Sequence, residues 1–380
     1  MQELVASPPP PVAETTDRVA FTGRRAEYRR LVMRGALLEL ATVGFYRFWL
    51  ATDMRRHLWS HTSVGGDGPE YTGTAKELLI GFLFAMAILL PIYLAYFFIG
   101  LEAERLQAFA SIPLFLFFYL FAQFAIYRAR RYRLTRTVWR GVRFWMKGSG
   151  WNYSWRAALW GLFVLLTLGL ALPWRAAALE RFKMRHSFYG DLPGRFDATG
   201  WQFFKDGWWL WLLSWPAILV PVAFPFVYAA FKSIEWRWWA SGIRFGEVRF
   251  ESKLTEGALI GLYWKVIGWS LLLLIFLSAW IGGVFGIGMA AGGGTKSSGL
   301  EIAHALQHPV ILIVMALGYV TAALALGVVL RVYLLRDVWE RVAASVSVHN
   351  LAAADNVKAQ GHLVSALGEG FADSLDVAGF

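Results

Sequence analysis

The sequence predicts an all-α polytopic membrane protein: two transmembrane hairpins, broken or re-entrant helical segments between them, short cytoplasmic β-ribbons, and an internal duplication. Three observations predict it. The 380 residues are 57% hydrophobic and 17% aromatic, with a mean hydropathy of +0.46, outside the range of soluble globular chains. Four runs, 78–100, 107–127, 266–291 and 309–330, are long enough and charge-free enough to cross about 30 Å of hydrocarbon. A stretch of 22 residues, "YRRLVMRGALLELATVGFYRFW" from Tyr28 to Trp49, also matches "YSWRAALWGLFVLLTLGLALPW" from Tyr153 to Trp174 without a gap.

In chain order, residues 1–17, "MQELVASPPPPVAETTD", are acidic and Pro-rich. They lack a basic region followed by an apolar one, so they read as a disordered tail and not as a signal peptide. Residues 18–349 form one membrane domain, and 350–380 read as a flexible C-terminal tail. The duplication relates 28–74 to 153–199. At the same offset Arg56 falls on Arg181, His61 on His186 and Gly65 on Gly190.

The second half of the unit recurs more loosely, as a basic helix, a turn and an aromatic stretch. "RYRLTRTVWRGVRF" (131–144) aligns with "RWWASGIRFGEVRF" (237–250), and "RVAASVSVHN" (341–350) reads as a truncated last copy. Gly190, Gly246 and Asn350 share the place where a left-handed residue opens a hairpin or ends a helix. "VAFTG" at 19, "PEYTG" at 69 and "RFDATG" at 195 read as strand then turn, hence the β-ribbons.

Charge sets the expected topology. Between Arg18 and Arg34 there are six arginines against the single Glu27, and from Arg128 to Lys147 eight basic residues and no acid. These segments belong on the cytoplasmic side. The connection 101–106 and the Gly-rich stretch "AAGGGTKSSGLE" then face the periplasm, making 78–127 one hairpin and 266–330 another. Three apolar segments are harder to place. The first, 35–46, holds only 12 residues and includes Glu39, too short and charged to span easily. It is expected to bend at Gly44. The second, 157–174, repeats the central Thr-Leu-Gly, and the third, 207–231, carries Pro216, Pro221 and Pro225, which interrupt helical hydrogen bonding. Three re-entrant segments, single crossings by the second and third, and a seven-crossing bundle all remain open.

The glycine-broken "TVGFYRFW", followed by "RRHLWSHT" and "EYTGT", resembles the YjgN-like family of bacterial inner-membrane proteins, most closely over 20–81. The resemblance implies the cytoplasmic membrane of a Gram-negative-type bacterium and no reaction, ligand or catalytic residue; it is the charge pattern that puts both termini on the cytoplasmic side. The second copy departs from the pattern where "LALPW" replaces "FYRFW".

Composition narrows the chemistry. With no cysteine there is no disulfide framework and no thiolate nucleophile or metal ligand. A net charge of +11 is assigned to membrane-facing arginines and not to nucleic acid, because the basic residues gather at the ends of apolar runs. The 20 tryptophans suit interfacial anchoring. No phosphate-binding loop, zinc-protease helix, nucleophile elbow or dinucleotide fingerprint is present, so no catalytic residue or cofactor is assigned, and an enzyme acting on lipids ranks behind the two functions given below.

Candidate binding residues are Arg34 and Glu39, set in the short apolar segment where a charge needs a partner or water; Lys265, at the edge of the third crossing; and the recurring arginines Arg56, Arg181 and Arg237. Planar guanidinium groups suit anionic headgroups, so membrane lipids are the expected partners, and a homo-oligomer is compatible with this reading. Asp53, His57 and His61 share one helix face, but the duplicate replaces the first two with Ala178 and Phe182, which argues against a metal site. Two functions follow. One is transport, or a channel, for a small solute or lipid through a cavity formed by broken helices. The other is a non-catalytic envelope scaffold that binds anionic lipid or partner proteins through its basic motifs.

Overall fold

Valine and phenylalanine fall at every second position in "VRFWM", "VRFES" and "VSVH", the two-residue period of a strand with one buried face. The computed structural model describes residues 16–102, 107–220, 223–291 and 308–361. Among them ten such strands form a single antiparallel sheet in the order β2-β1-β10-β9-β8-β7-β6-β5-β4-β3. The strands are β1 (Thr16–Phe21), β2 (Thr62–Val64), β3 (Glu70–Tyr71), β4 (Thr137–Trp139), β5 (Val142–Met146), β6 (Ser187–Tyr189), β7 (Leu192–Phe196), β8 (Ile243–Phe245), β9 (Val248–Ser252) and β10 (Val346–His349).

Between them run helices α1 (Arg25–Ala41), α2 (Arg47–Ser60), α3 (Ala75–Glu102), α4 (Gln107–Thr135), α5 (Gly150–Leu166), α6 (Leu172–Arg185), α7 (Gly200–Leu219), α8 (Phe224–Gly242) and α9 (Ile260–Ala291). α10 (Pro309–Leu330) then continues through a widened turn, Arg331–Arg336, into α11 (Asp337–Ser345). The order resolves into five units, each an outgoing helix, a returning helix and a β-hairpin. The fifth unit is split across the chain: β10 supplies the first strand of its hairpin, and β1 supplies the second by pairing Thr16 with His349 and Arg18 with Ser347. β1 also pairs with β2, Val19 opposite Val64, so the N-terminal strand joins the last unit to the first. One neighbouring pair in the cycle, β2 and β3, is not laddered. There the connection runs "GGDGP", where the β6–β7 and β8–β9 hairpins use two residues.

Curling this sheet gives it an inside. Cross-strand partners Val19 and Val64, Phe144 and Tyr189, Phe245 and Val248, and Val348 and Phe250 all pack in one apolar cluster, as inward residues of a small barrel do. Leu351, Ala354 and Val357 join the same cluster, so the segment after β10 covers one end of the lumen. Arg140 holds it there through Asp355 at 2.5 Å, and the Lys358 amide donates to Asp191 at 3.0 Å.

The helices close a second ring. α2 packs on α3, α4 on α5, α6 on α7 and α8 on α9, while α10 packs on α1. The duplicated break recurs atom for atom. Thr42 and Thr167 end their helices, each hydroxyl donating at 2.8 Å to the carbonyl four residues back and accepting from the amide four residues on. Val43 and Leu168 then take φ of 51° and 49°, and Gly44 and Gly169 take 88° and 90°, a region costly for any side chain. Gly44→Ala and Gly169→Ala are each expected to destabilise the protein by about 1–2 kcal/mol, read as a lowered Tm in detergent. An added methyl at Gly44 would meet nothing, so the loss there is backbone strain alone.

The expected all-α, two-hairpin architecture is therefore corrected. Separate two-stranded ribbons are marginal in water and expose edges. Pairing each to the next satisfies both, and this joins strands too far apart in sequence for local periodicity to link. Among the described residues three helices are long and apolar enough to cross a membrane: Ala75–Phe98, Ile260–Ala290 and Pro309–Ser345. The expected run 107–127 begins at residues whose side chains lie outside the described set, as do the connection 103–106 and most of the Gly-rich stretch. At 1.5 Å per residue α1, α2, α5 and α6 are about 21–26 Å long, short of the roughly 30 Å a crossing needs.

Candidate functional site

Each returning helix must meet its hairpin, so the returning helices converge above the sheet. Where α4, α6 and α8 approach α9 and the α10–α11 bend, they line an open cavity of 520 Å³. Its charged centre is Glu180 on α6, 4% exposed. Arg130 of α4 reaches the Glu180 carboxylate at 2.5 Å, Lys183 pairs with it one turn on, and the Trp239 indole of α8 donates to it. Arg130 also donates to the Met184 sulfur at 3.3 Å. Burial alone would push the Glu180 carboxyl up; Arg130 and Lys183, with the hydrogen bonds from Lys183 and Trp239, outweigh it and hold the group at about 2.

A second pair sits on α8, Lys232 to Glu235 at 2.6 Å. Burial works against the Lys232 charge, but Glu235 more than restores it, and the ammonium titrates above its ordinary range. Arg175 of α6 also lines the cavity, and its buried Nε has no hydrogen-bond partner. Trp239 is the wall between compartments: it lines the cavity and also packs on the apolar cluster of the barrel lumen. The cavity floor toward the sheet is thus apolar and filled, while its sides are charged.

None of the sequence-derived candidates lines this cavity. Glu39 is partnered, but by Arg331 at 3.1 Å and not by Arg34, which is exposed on α1. The pair ties α1 to the far end of α10, closing the helical ring. Lys265 is exposed on α9. Arg56, Arg181 and Arg237 have one shared job. Each donates to the backbone carbonyl 17 residues later, Gly73, Ala198 and Leu254 respectively, at 2.9, 3.5 and 3.4 Å. In these three units the arginine therefore pegs the loop that leaves the hairpin, and Arg237 adds Asp206 at 3.1 Å.

The His57 and His61 rings lie 4.2 Å apart, tilted by 30°, with the His61 Nδ1 at 2.7 Å from the His57 carbonyl. His186 repeats that contact with the Phe182 carbonyl at 2.7 Å, which identifies it as a helix-ending device. Among the described residues no three His, Cys, Asp or Glu side chains form a metal-holding group. One signal pointed to the cavity: Arg130 and Glu180 each immediately precede the recurring arginine, at Arg131 and Arg181.

A family model described as "bacterial protein of unknown function (DUF898)" matches residues 16–236, and the YjgN-like resemblance is consistent with it. No curated protein and no solved structure is a match. The matched span takes in β1, the first three units and most of the α7–α8 helix pair, which is more than half of the chain, and the protein belongs to this bacterial family of unknown function.

Proposed function

We propose that this is a bacterial inner-membrane protein that conducts or transports a small solute through the cavity between its returning helices. The observation that carries the reading is the buried Glu180–Arg130–Lys183 cluster beside open volume at the meeting point of several units. Ion pairs at such depth are expensive to maintain, and in membrane proteins they commonly mark solute or ion paths. The long helices α3, α9 and α10 would cross the bilayer, with α4 returning from α3 to the sheet, and the short pairs α1–α2 and α5–α6 would enter and return on one side. The sheet, where every unit begins and ends, would lie at the cytoplasmic surface with its arginines.

The absence of native cysteine makes both parts testable. Gln123, on the cavity wall, is replaced by cysteine and the protein reconstituted into liposomes. A size-graded panel of solutes is expected to pass, and a bulky methanethiosulfonate reagent to block passage by at least tenfold in Gln123→Cys but not in the parent. Passage indifferent to the reagent would place the path elsewhere, and no passage of any solute would remove the reading. For sidedness, Ser63→Cys in β2 is expected to react with an impermeant maleimide only after cells are opened. Labelling in intact cells would put the sheet in the periplasm.

A further inference from the structure

The cavity has a sign. Its lining carries four cations, Arg130, Arg175, Lys183 and Lys232, against two carboxylates, Glu180 and Glu235. Both carboxylates are already spent on partners within the wall: Glu180 on Arg130 and Lys183, Glu235 on Lys232. The wall therefore keeps an excess of positive charge, and among the described residues the Arg175 guanidinium that lines it pairs with no carboxylate.

We infer that the cavity is a binding site for a small organic anion, a carboxylate or phosphate attached to an apolar body. The charge half of that description comes from Arg175 and the excess cations, since guanidinium groups bind planar oxyanions through paired donors. The apolar half comes from the aromatic walls. Tyr228 and Tyr263 meet edge to face at 5.6 Å, and Trp238 and Trp239 complete that side. A volume of 520 Å³ falls in the roughly 300–1,000 Å³ range of small-molecule pockets. A cation would meet the opposite conditions, with no free carboxylate and several repelling charges. The inference deepens the proposed solute path and rests on it only for the claim that the occupant also crosses the membrane.

The full-length protein in nanodiscs of phosphatidylcholine alone separates the two claims. Succinate and inorganic phosphate are the anionic probes, choline and putrescine the cationic ones, with binding read by equilibrium uptake of radiolabel and by Tm. The anions are expected to bind and raise Tm, and the cations to do neither. Arg175→Gln with Lys232→Gln is expected to weaken succinate binding at least tenfold. Arg175→Gln alone, the milder change, should weaken it severalfold while the protein elutes as the parent does. Adding phosphatidylglycerol tells the sources apart: if it displaces succinate the natural occupant is a lipid headgroup, and if it does not, a free anion, the anion site standing in either case. Binding of choline or putrescine at parity with succinate, no binding of either anion, or an unchanged affinity in both variants overturns the inference. Anion binding without any flux would leave the site standing and remove the transport reading instead.

Discussion

Glu180→Ala is expected to destabilise the protein by about 3–5 kcal/mol, because it leaves the Arg130 and Lys183 charges in a buried site without their counter-ion. That is a large share of the roughly 5–15 kcal/mol that holds a domain folded, so the variant should melt far below the parent or fail to accumulate. Glu180→Gln, which keeps an acceptor for the Trp239 indole but loses the charge, should fall between the two. The informative control is the triple change Glu180→Leu, Arg130→Met and Lys183→Met. Packing an apolar group where a buried ion cluster stood is often neutral or stabilising, so the triple variant should recover much of the lost Tm. If it recovers stability and loses solute binding, the cluster is retained for the cavity's chemistry and not for the fold.

The same group sets an acid limit. Glu180 titrates at about 2 in the folded protein against an ordinary 4.5, so the unfolded chain takes up its proton first. The stability this group contributes is fully present above about pH 4.5 and is lost as the pH falls from there toward 2. A drop of that size is worth roughly 3 kcal/mol, the same order as the cost of deleting the carboxylate. Tm measured across that window should fall steeply in the parent and more gently in Glu180→Gln.

Local chemistry made the repeated break legible. Thr42 and Thr167 each precede a residue and a glycine forced to positive φ, and such a turn needs only residues adjacent in sequence. The same holds for the left-handed hairpin positions Gly190, Gly246 and Asn350, with φ of 52°, 56° and 58°. What could not be read was partnership at a distance. Glu39 finds Arg331, 292 residues away, and no periodicity links the two. "VAFTG" reads as a strand and is one, but its partners are β2 and β10, and only the chain's return to its starting point creates the second pairing. Separate ribbons and a single continuous sheet therefore look alike from sequence. The cavity was missed because its charges come from different units: Arg130 and Glu180 read singly as members of basic helices, and only the convergence of α4 and α6 makes them a pair.

That junction of the last unit to the first carries the second large effect, because β1 alone fills a place that another strand of the same unit would otherwise fill. Deleting residues 1–21 removes the pairing of Val19, Ala20 and Phe21 with β2 and of Thr16, Asp17 and Arg18 with β10. It also withdraws Val19 from the lumen cluster and Phe21 from the cluster around Tyr28 and Leu58. Backbone hydrogen bonds at about 1 kcal/mol each and two apolar side chains at about 1.5–3 kcal/mol each put the loss on the order of 5–10 kcal/mol. The exposed edges of β2 and β10 would then invite pairing between molecules, so the truncated protein should aggregate and be cut rapidly by protease. If β1 matters as a strand and not as the start of the chain, it should work from the other end. Appending residues 10–21 after Phe380 through a Gly/Ser linker costs little extra loop entropy and returns the strand to the same gap. This chain is expected to regain most of the parent's Tm and protease resistance, whereas the same appendage with Val19 and Phe21 changed to aspartate should not. Equal behaviour of the two appended chains would mean that β1 does not hold the last unit to the first.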